Sequence, residues 1–359
     1  MNLPIFVNAK FLAQPLSGVQ RFASEISLYL KKQLPECYFV SPENVIQDDL
    51  AQKLSPIRIG GSSTIFWEQI ALPKYLYKNG SPLLINLGNI APVFYTNQIV
   101  TLHDVAFIRN PQWFSRKFQM SYRVLIPIIA RRAKHLITVS HFSKNEIAET
   151  IDIAHENITV VPNAPSNFTQ ISPESTPIIN DDYIFTVSSM NPRKNLITLL
   201  KAFHKLAKIN PIKLVLLGDF SHVFGDTTGI VPLLNHPHII HKTHVADSEL
   251  KALYTHAKLF VYPSLYEGFG LPPLEAMSLG CPVLVSDIPP HREVCASAAS
   301  YFDPLNPLDL LDKMIYALAH PKNLSLCKEQ AANFSWKKSA DRLISCVQKF
   351  STSPHTQGI

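Results

Sequence analysis

Short apolar runs separated by amphipathic stretches recur along the whole chain. Ile5–Asn8, Leu83–Leu87, Ile99–Leu102 and Leu136–Val139 have the length of strands, as do Tyr183–Val187, Leu214–Leu217, Leu259–Val261 and Val283–Val285. The stretches between them carry helical periodicity, at Phe22–Leu30, Leu196–Lys208, Ser248–Tyr254, Leu308–Leu318 and Trp336–Phe350. Ser143-x-x-Glu146 is a capping-box pattern that opens one further helix. This alternation predicts an α/β protein with parallel sheets and crossover helices. Ligands of such sheets gather past the C-terminal ends of the strands, so the residues there are the ones to read for chemistry.

The most informative stretch is Tyr262–Pro282, YPSLYEGFGLPPLEAMSLGCP, between two of those strands. Pro272 and Pro273 suit a first helical turn, and Gly280 suits the residue that stops the helix. The result is strand, glycine loop and helix start, with the N–H groups of Gly268, Phe269, Gly270 and Leu271 directed at the loop. Such a place binds anions or sugar hydroxyls. Glu267 and Glu275 flank it, eight positions apart. A carboxylate would repel an anion, but it accepts hydrogen bonds from hydroxyls. Glu275 could take two from a vicinal diol such as a ribose, and Glu267 could face a second sugar. The plainer alternative is a solvated helix start, with Glu275 favoured by the helix dipole.

The run Glu267-Gly-Phe-Gly-Leu-Pro-Pro-Leu-Glu275, with Tyr262-Pro-Ser-Leu-Tyr before it and Gly280-Cys-Pro-Val after it, resembles the E-x7-E motif of retaining glycosyltransferases of family 4. The resemblance implies a GT-B fold: two Rossmann-like domains facing across a cleft, with the C-terminal helix crossing back to the N-terminal domain. It places Glu275 on the donor ribose and Glu267 near the transferred sugar.

Other strand ends add to this picture. Arg193 and Lys194 fall near the start of the helix from Leu196, where two cations oppose the helix dipole unless an anion visits. A diphosphate is the natural visitor, and the resemblance puts both residues on it. Ser188 stands where many members carry glycine. Gly218, followed by Asp219, ends another strand and should lie near the nucleotide, and the resemblance implies that Thr243–Ala246 lines the base pocket. Gly18, before the first helix, resembles the family's glycine-rich loop; alone it would be a tight turn. His103-Asp104 follows a central strand, where a histidine can bind polar groups or shuttle a proton. The run Val100–Phe107 resembles mannosyltransferase-like members, which implies a place for His103 beside sugar and acceptor; the alternative for Asp104 is to hold its loop by local hydrogen bonds.

The 359 residues suffice for two domains. The boundaries expected are 1–165 for an acceptor domain, 166–180 for a linker, 181–335 for a donor domain, 336–352 for the returning helix and 353–359 for a frayed tail. The loop after Val160-Val161-Pro162-Asn163 continues Ala-Pro-Ser rather than with the family's usual glycine and acid, which leaves that loop's contacts open. Five scattered cysteines form no C-x-x-C pair, which suits reduced thiols rather than disulfides or zinc. His236, His238, His241 and His244 are too loosely spaced for a metal site. No D-x-D occurs, so no obligatory metal and no other cofactor is expected. The N-terminus has no signal-peptide pattern, and no apolar run reaches membrane-spanning length. A cytoplasmic protein is expected. From Arg109 to Lys144 there are eight Arg and Lys residues and no Asp or Glu, with aromatics interleaved. That surface could rest on anionic lipid at the inner face of the membrane or capture a lipid diphosphate; it could also be a solvated basic face.

The expected function is transfer of a hexose, retaining its anomeric configuration, from a nucleotide-diphosphate sugar to a glycan or lipid-linked oligosaccharide, with no nucleic-acid partner. GDP-mannose is the first expectation for the donor, since His103-Asp104 and the EGFGLPP form resemble mannosyl- and rhamnosyltransferases of bacterial surface polysaccharides. UDP- and dTDP-sugars, a sugar-nucleotide epimerase or phosphorylase, and an inactive sugar-nucleotide-binding module are the alternatives. A nicotinamide dehydrogenase does not fit, because Gly268-Phe-Gly270 lacks a third glycine and lies late in the chain.

Overall fold

The computed structural model describes residues 4–62, 64–170, 177–189, 191–218 and 230–351. Asp219, much of the expected linker and the expected tail lie outside the described residues. The chain divides into two compact units. The first comprises residues 1–105, 120–163 and 335–359, and the second comprises 106–119 and 164–334. The segment 106–119, which sequence order would put with the first domain, belongs by its contacts to the second.

The first unit is built on a seven-stranded sheet of β1 (Ile5–Asn8), β2 (Cys37–Ser41), β3 (Ile57–Arg58), β4 (Leu83–Asn86), β5 (Gln98–Thr101), β6 (His135–Thr138) and β7 (Ile158–Val160). Their order across the sheet is β3-β2-β1-β4-β5-β6-β7, and every pairing is parallel. Burial on both faces explains the lack of alternation in these strands: β1, β4, β5 and β6 are buried at every residue. The sequence signal missed β2, β3 and β7. β3 has two residues, and neither of them is buried.

The second unit holds β8 (Tyr183–Val187), β9 (Lys213–Leu217), β10 (Ile239–Lys242), β11 (Leu259–Tyr262), β12 (Val283–Ser286) and β13 (Ser300–Phe302). Their order is β10-β9-β8-β11-β12-β13, again all parallel. The strand order reverses between the adjacent strands β8 and β11, which is the topological switch point at which ligands of open α/β sheets bind. The core on one face joins Leu199, Phe203, Leu214, Val261 and Leu284 to Leu310 and Met314 of the helix Pro307–Ala319.

One expected helix start moves. The helix after β6 runs His141–Ile151 and is capped by Ser140, whose Oγ accepts from the Ser143 N–H at 2.9 Å. Ser143 is therefore not the cap; its hydroxyl donates to the His103 carbonyl at 3.0 Å. A helix at Leu324–Ala332 had no clear signal in the sequence, because only Cys327 and Ala331 of its residues are fully buried.

The last helix, Trp336–Ser351, belongs to the first unit. It packs along the helix Gly18–Gln33, with Trp336 edge-on to Phe22 at 6.1 Å between centroids. Gln33 Nε2 donates to Asp341 at 3.1 Å, and the Ser339 hydroxyl donates to the Pro162 carbonyl at 2.6 Å. Trp336 is buried, so Trp336→Ala should cost about 3–5 kcal/mol of stability. Chemical denaturation checks this; a loss below about 1 kcal/mol would show that this helix does not hold the first unit together.

Candidate functional site: a buried ion pair at the end of the second sheet

β8 and β11 are adjacent strands, and the loops that leave them carry the principal charges. After β8, Asn191 caps a 3-10 turn, Pro192–Lys194, by accepting from the Arg193 N–H at 2.9 Å. Asn195 then takes a left-handed conformation, φ +55°, and starts the helix Leu196–Leu206. This double bend sets Arg193 and Lys194 at the strand end. The loop after β11 meets them there, with the Leu265 N–H donating to the Arg193 carbonyl at 2.7 Å.

Lys194 Nζ reaches Glu267 Oε1 at 2.6 Å and the Tyr262 hydroxyl at 2.6 Å. The pair is largely withdrawn from water, with 13% of the lysine and 9% of the glutamate side chain exposed. Burial raises the Glu267 carboxyl, but Lys194 and Arg193, with the hydrogen bond from Lys194, outweigh it and hold the group down at about 2. Glu267 is therefore a carboxylate at neutral pH and has no proton to give as an acid. Arg193, Lys194 and Glu267 together carry one net positive charge.

Beyond Glu267 the chain turns through Gly270, φ +111°, into the helix Leu271–Ser278. The positive φ favours glycine here, and so does the space: a Cβ would lie 3.3 Å from the His291 ring. His291 is fully buried. Its Nδ1 bonds the Ser286 carbonyl at 2.9 Å, and no hydrogen-bond partner is found for Nε2. Burial pushes its pKa down to about 4, so it underlies the loop as a neutral ring. Sequence reasoning passed over this residue, whose only signal was a histidine a few positions past β12.

Glu275 sits in the fifth position of that helix and is buried. The Ser166 hydroxyl donates to its Oε1, and the Tyr254 hydroxyl donates to its Oε2 at 3.2 Å. Both carboxylate oxygens thus accept from hydroxyls, the chemistry expected of them, but from hydroxyls of the protein. A carboxylate has about four lone-pair sites, so capacity for a ligand remains. Ser166 and Tyr254 carry no motif and could not be found from the sequence.

Gly218 has a structural reason of its own. A Cβ there would lie 1.6 Å from the Ser188 carbonyl oxygen, and its N–H donates to the Lys242 carbonyl at 2.9 Å. The glycine lets the ends of β8 and β9 approach, whatever binds nearby. The histidines after it are held internally: His241 bonds the Gly218 carbonyl at 2.9 Å, and His236 lies against His204 at 4.7 Å. Among the described residues no three His, Cys, Asp or Glu side chains converge on a metal position.

The remaining candidates belong to the first unit. His103 is buried edge-on against Phe22 at 5.0 Å. Its N–H donates to Asn89 Oδ1 at 2.8 Å, and its Nε2 lies 3.1 Å from the Leu87 carbonyl, which assigns the ring proton to Nε2. Burial lowers its pKa, so the neutral ring offers Nδ1 as an acceptor and donates only to Leu87. Asp104 is half-buried beside it. Gly18 is exposed at the first position of its helix, with nothing near where a Cβ would stand. The structure thus gathers Arg193, Lys194, Glu267, Gly268, Phe269, Gly270, Leu271 and Glu275 at one sheet end of the second unit. His103, Asp104 and Gly18 lie in the other unit.

Comparison with known proteins gives two family matches. Residues 168–334 match glycosyl transferases group 1, and residues 16–164 match glycosyltransferase family 4. The O-antigen chain mannosyltransferase RfbU of Salmonella typhimurium is 32% identical over 239 residues, covering 64% of this chain and 65% of that protein. The O-antigen chain mannosyltransferase B of Escherichia coli is 29% identical over 272 residues, 70% of each. The match to the mannosyltransferase WbdA of Escherichia coli spans only 28% of that larger protein. Among solved structures, a sucrose-phosphate synthase from Thermosynechococcus elongatus superposes with a TM-score of 0.76, at 18% identity over 98% of this chain and all of its own. HepE of Anabaena, in complex with UDP and glucose, gives 0.74 at 18% identity over 97% of this chain and all of its own. These neighbours share the GT-B fold.

Two outcomes follow for the unliganded protein. Gly218→Ala should lower the melting temperature by several degrees without any ligand, since the new Cβ meets backbone rather than a flexible side chain. An unchanged melting temperature would return Gly218 to a purely ligand-facing role. Acid should act in two stages. His291 and His135 have pKa values near 4 against an ordinary value of 6.5, so their folded forms bind fewer protons than the unfolded chain. Stability is full above pH 6.5 and falls as pH drops towards 4. Glu267, depressed from 4.5 to about 2, adds a second loss between those values. Denaturation midpoints from pH 7.5 to 3 test this; stability flat down to pH 4.5 would refute the histidine stage.

Proposed function

Because this chain belongs to the group 1, family 4 glycosyltransferases, we propose that it transfers a hexosyl group, mannose first, from a nucleotide-diphosphate sugar to a glycan in surface polysaccharide synthesis. The observation that carries the reading is the cluster at the switch point of the second sheet. Two cations, one buried carboxylate and a glycine-turned helix start converge there, with a second carboxylate accepting from hydroxyls. Mannose follows from the O-antigen mannosyltransferases to which the chain is similar.

In this reading the second unit takes the donor. Arg193 binds the diphosphate with its planar fork and Lys194 with a point charge. Both stabilise the charge that grows on the leaving group, as preorganised cations in a dry site do. Glu267 holds Lys194 in place and faces the sugar. Glu275 exchanges a protein hydroxyl for those of the ribose. Glu267 is held in its ion pair with Lys194 rather than free to attack, so the acceptor hydroxyl attacks on the face the nucleotide leaves and the departing phosphate takes the proton. That course retains the anomeric configuration and uses no metal or other cofactor. His103, in the first unit, accepts a hydrogen bond from a sugar or acceptor hydroxyl through Nδ1, and Asp104 supports it.

A lipid-linked acceptor fits one further surface. In the helix Arg116–Arg132, Met120, Val124 and Ile128 are exposed at a spacing of four, among Arg116, Arg123, Arg131 and Arg132. Apolar side chains rimmed by cations suit an anionic bilayer. Among the described residues no helix is long and apolar enough to cross a membrane, so the contact proposed is peripheral.

The deciding experiment is a thermal-shift panel of GDP, UDP, dTDP and their sugars without metal, with transfer assayed for whichever binds. GDP-mannose should give the largest rise. Glu275→Gln should weaken nucleotide binding by about tenfold, the loss of one charge-assisted hydrogen bond. Glu267→Gln should leave nucleotide binding within a few fold and lower kcat more than tenfold. No rise with any nucleotide from a folded sample would overturn the reading, and a rise with UDP or dTDP alone would change the donor.

A further inference from the structure

The first unit contains a cavity of about 200 Å³ past the ends of β1 and β4, beside the start of the helix Gly18–Gln33. Its wall holds a second buried ion pair, unrelated in sequence to the first. Lys10 Nζ lies 2.7 Å from Glu68 Oε2, with 12% of the lysine and 3% of the glutamate side chain exposed. Asn8 Nδ2 donates to Glu68 Oε1 at 2.9 Å and to Asn86 Oδ1 at 3.0 Å. Asn86 Nδ2 donates in turn to Gln98 Oε1 at 3.0 Å, and Gln98 Nε2 donates to the Pro92 carbonyl at 2.8 Å. A line of buried amides across three strands therefore fixes the orientation of the carboxylate.

Stability does not explain this arrangement. A buried ion pair rarely stabilises more than apolar side chains of the same volume would. The backbone at Glu68 is unusual as well. Trp67–Ala71 is a π-helical turn leading into the helix Leu72–Lys78, and such turns are rare and concentrate at functional sites. It is anchored on both sides. Trp67 Nε1 donates to the Ile59 carbonyl at 2.8 Å, and Gln69 bonds both the Ala91 carbonyl and the Val93 N–H. Tyr122, Gln14 and Gln20 complete the polar wall.

We infer that this cavity binds one neutral sugar unit of the acceptor, read by the Lys10–Glu68 pair. The pair has no net charge, so it does not select a phosphate or an acidic sugar. It presents a donor and an acceptor side by side, the complement of a vicinal diol, whose oxygens accept from the ammonium while its protons go to the carboxylate. The volume is below the about 300 Å³ at which sites for drug-sized ligands begin, too small for a nucleotide. Burial and the nearby Glu68 carboxylate push the Tyr122 phenol up to about 12, which keeps it a hydrogen-bond donor. Lys10 and Glu68 would thereby set acceptor specificity. The inference rests on the glycosyltransferase reading, but it concerns different residues in the other unit.

Saturation-transfer NMR on the full chain, with and without the nucleotide that gives the thermal shift, tests it. The probes are methyl α-D-mannopyranoside and methyl α-D-glucopyranosiduronate, the acidic counterpart. The wild type should take the neutral glycoside in preference to the acidic one. Lys10→Met with Glu68→Gln removes both charges together, so that neither charge is left buried without its counter-charge. It should weaken the neutral glycoside by about tenfold or more while the nucleotide shift stays as in the wild type. Tyr122→Phe, which deletes one hydroxyl, should weaken it severalfold and decides the matter if the double variant does not fold. Variants that bind the glycoside like the wild type, a preference for the acidic probe, or no transfer to the wild type would each overturn the inference. Absence of the nucleotide shift in the wild type would instead count against the function proposed above.

Discussion

The ion pair between Lys194 and Glu267 is the contact on which the candidate donor site depends. It joins two loops whose key residues are 73 positions apart, and it lies where little water can screen it. Alone, either charge would be costly to bury; together, with the Tyr262 hydroxyl and the Arg193 charge beside them, they are held in one protonation state. Their geometry is inherited from the sheet. β8 and β11 are neighbours in register, so whatever leaves their ends must meet, and the Leu265–Arg193 backbone bond ties the two loops together.

The two buried pairs, one in each unit, differ in the charge around them. Arg193 leaves the cluster with Lys194 and Glu267 one positive charge in excess, which suits an anionic leaving group. Lys10 and Glu68 cancel, which suits hydroxyls. Both pairs sit past the C-terminal ends of parallel strands, where a doubly wound sheet leaves room between its crossovers. The same architecture used twice thus yields one buried cluster with a net charge and one without.

Several residues singled out for chemistry also have structural duties. Gly218 makes space for the Ser188 carbonyl, and Gly270 makes space for His291 as well as turning the chain. His103 donates its ring proton to a backbone carbonyl and has its own carbonyl held by Ser143. These contacts fix the loops in place, and loops fixed in advance need less ordering on binding.

The sequence by itself determined the fold class, the order of most strands and helices, and the motif of two glutamates around a glycine turn. Those signals are local: apolar runs, helical periodicity, prolines before a helix, and two glutamates at a fixed spacing within one loop and helix. It did not reveal β3, which has two residues, or the helix Leu324–Ala332, whose buried face is too narrow to leave a period. Nor could it show that Ser140 rather than Ser143 caps a helix, because both stand at plausible cap positions and the His103 carbonyl claims one of them. The Ser166 and Tyr254 partners of Glu275, the burial of His291 and the pairing of Lys10 with Glu68 were decided only by the tertiary structure. Each joins residues far apart in the chain, and buried charges and amides choose partners by where the sheet delivers them, which no local pattern records.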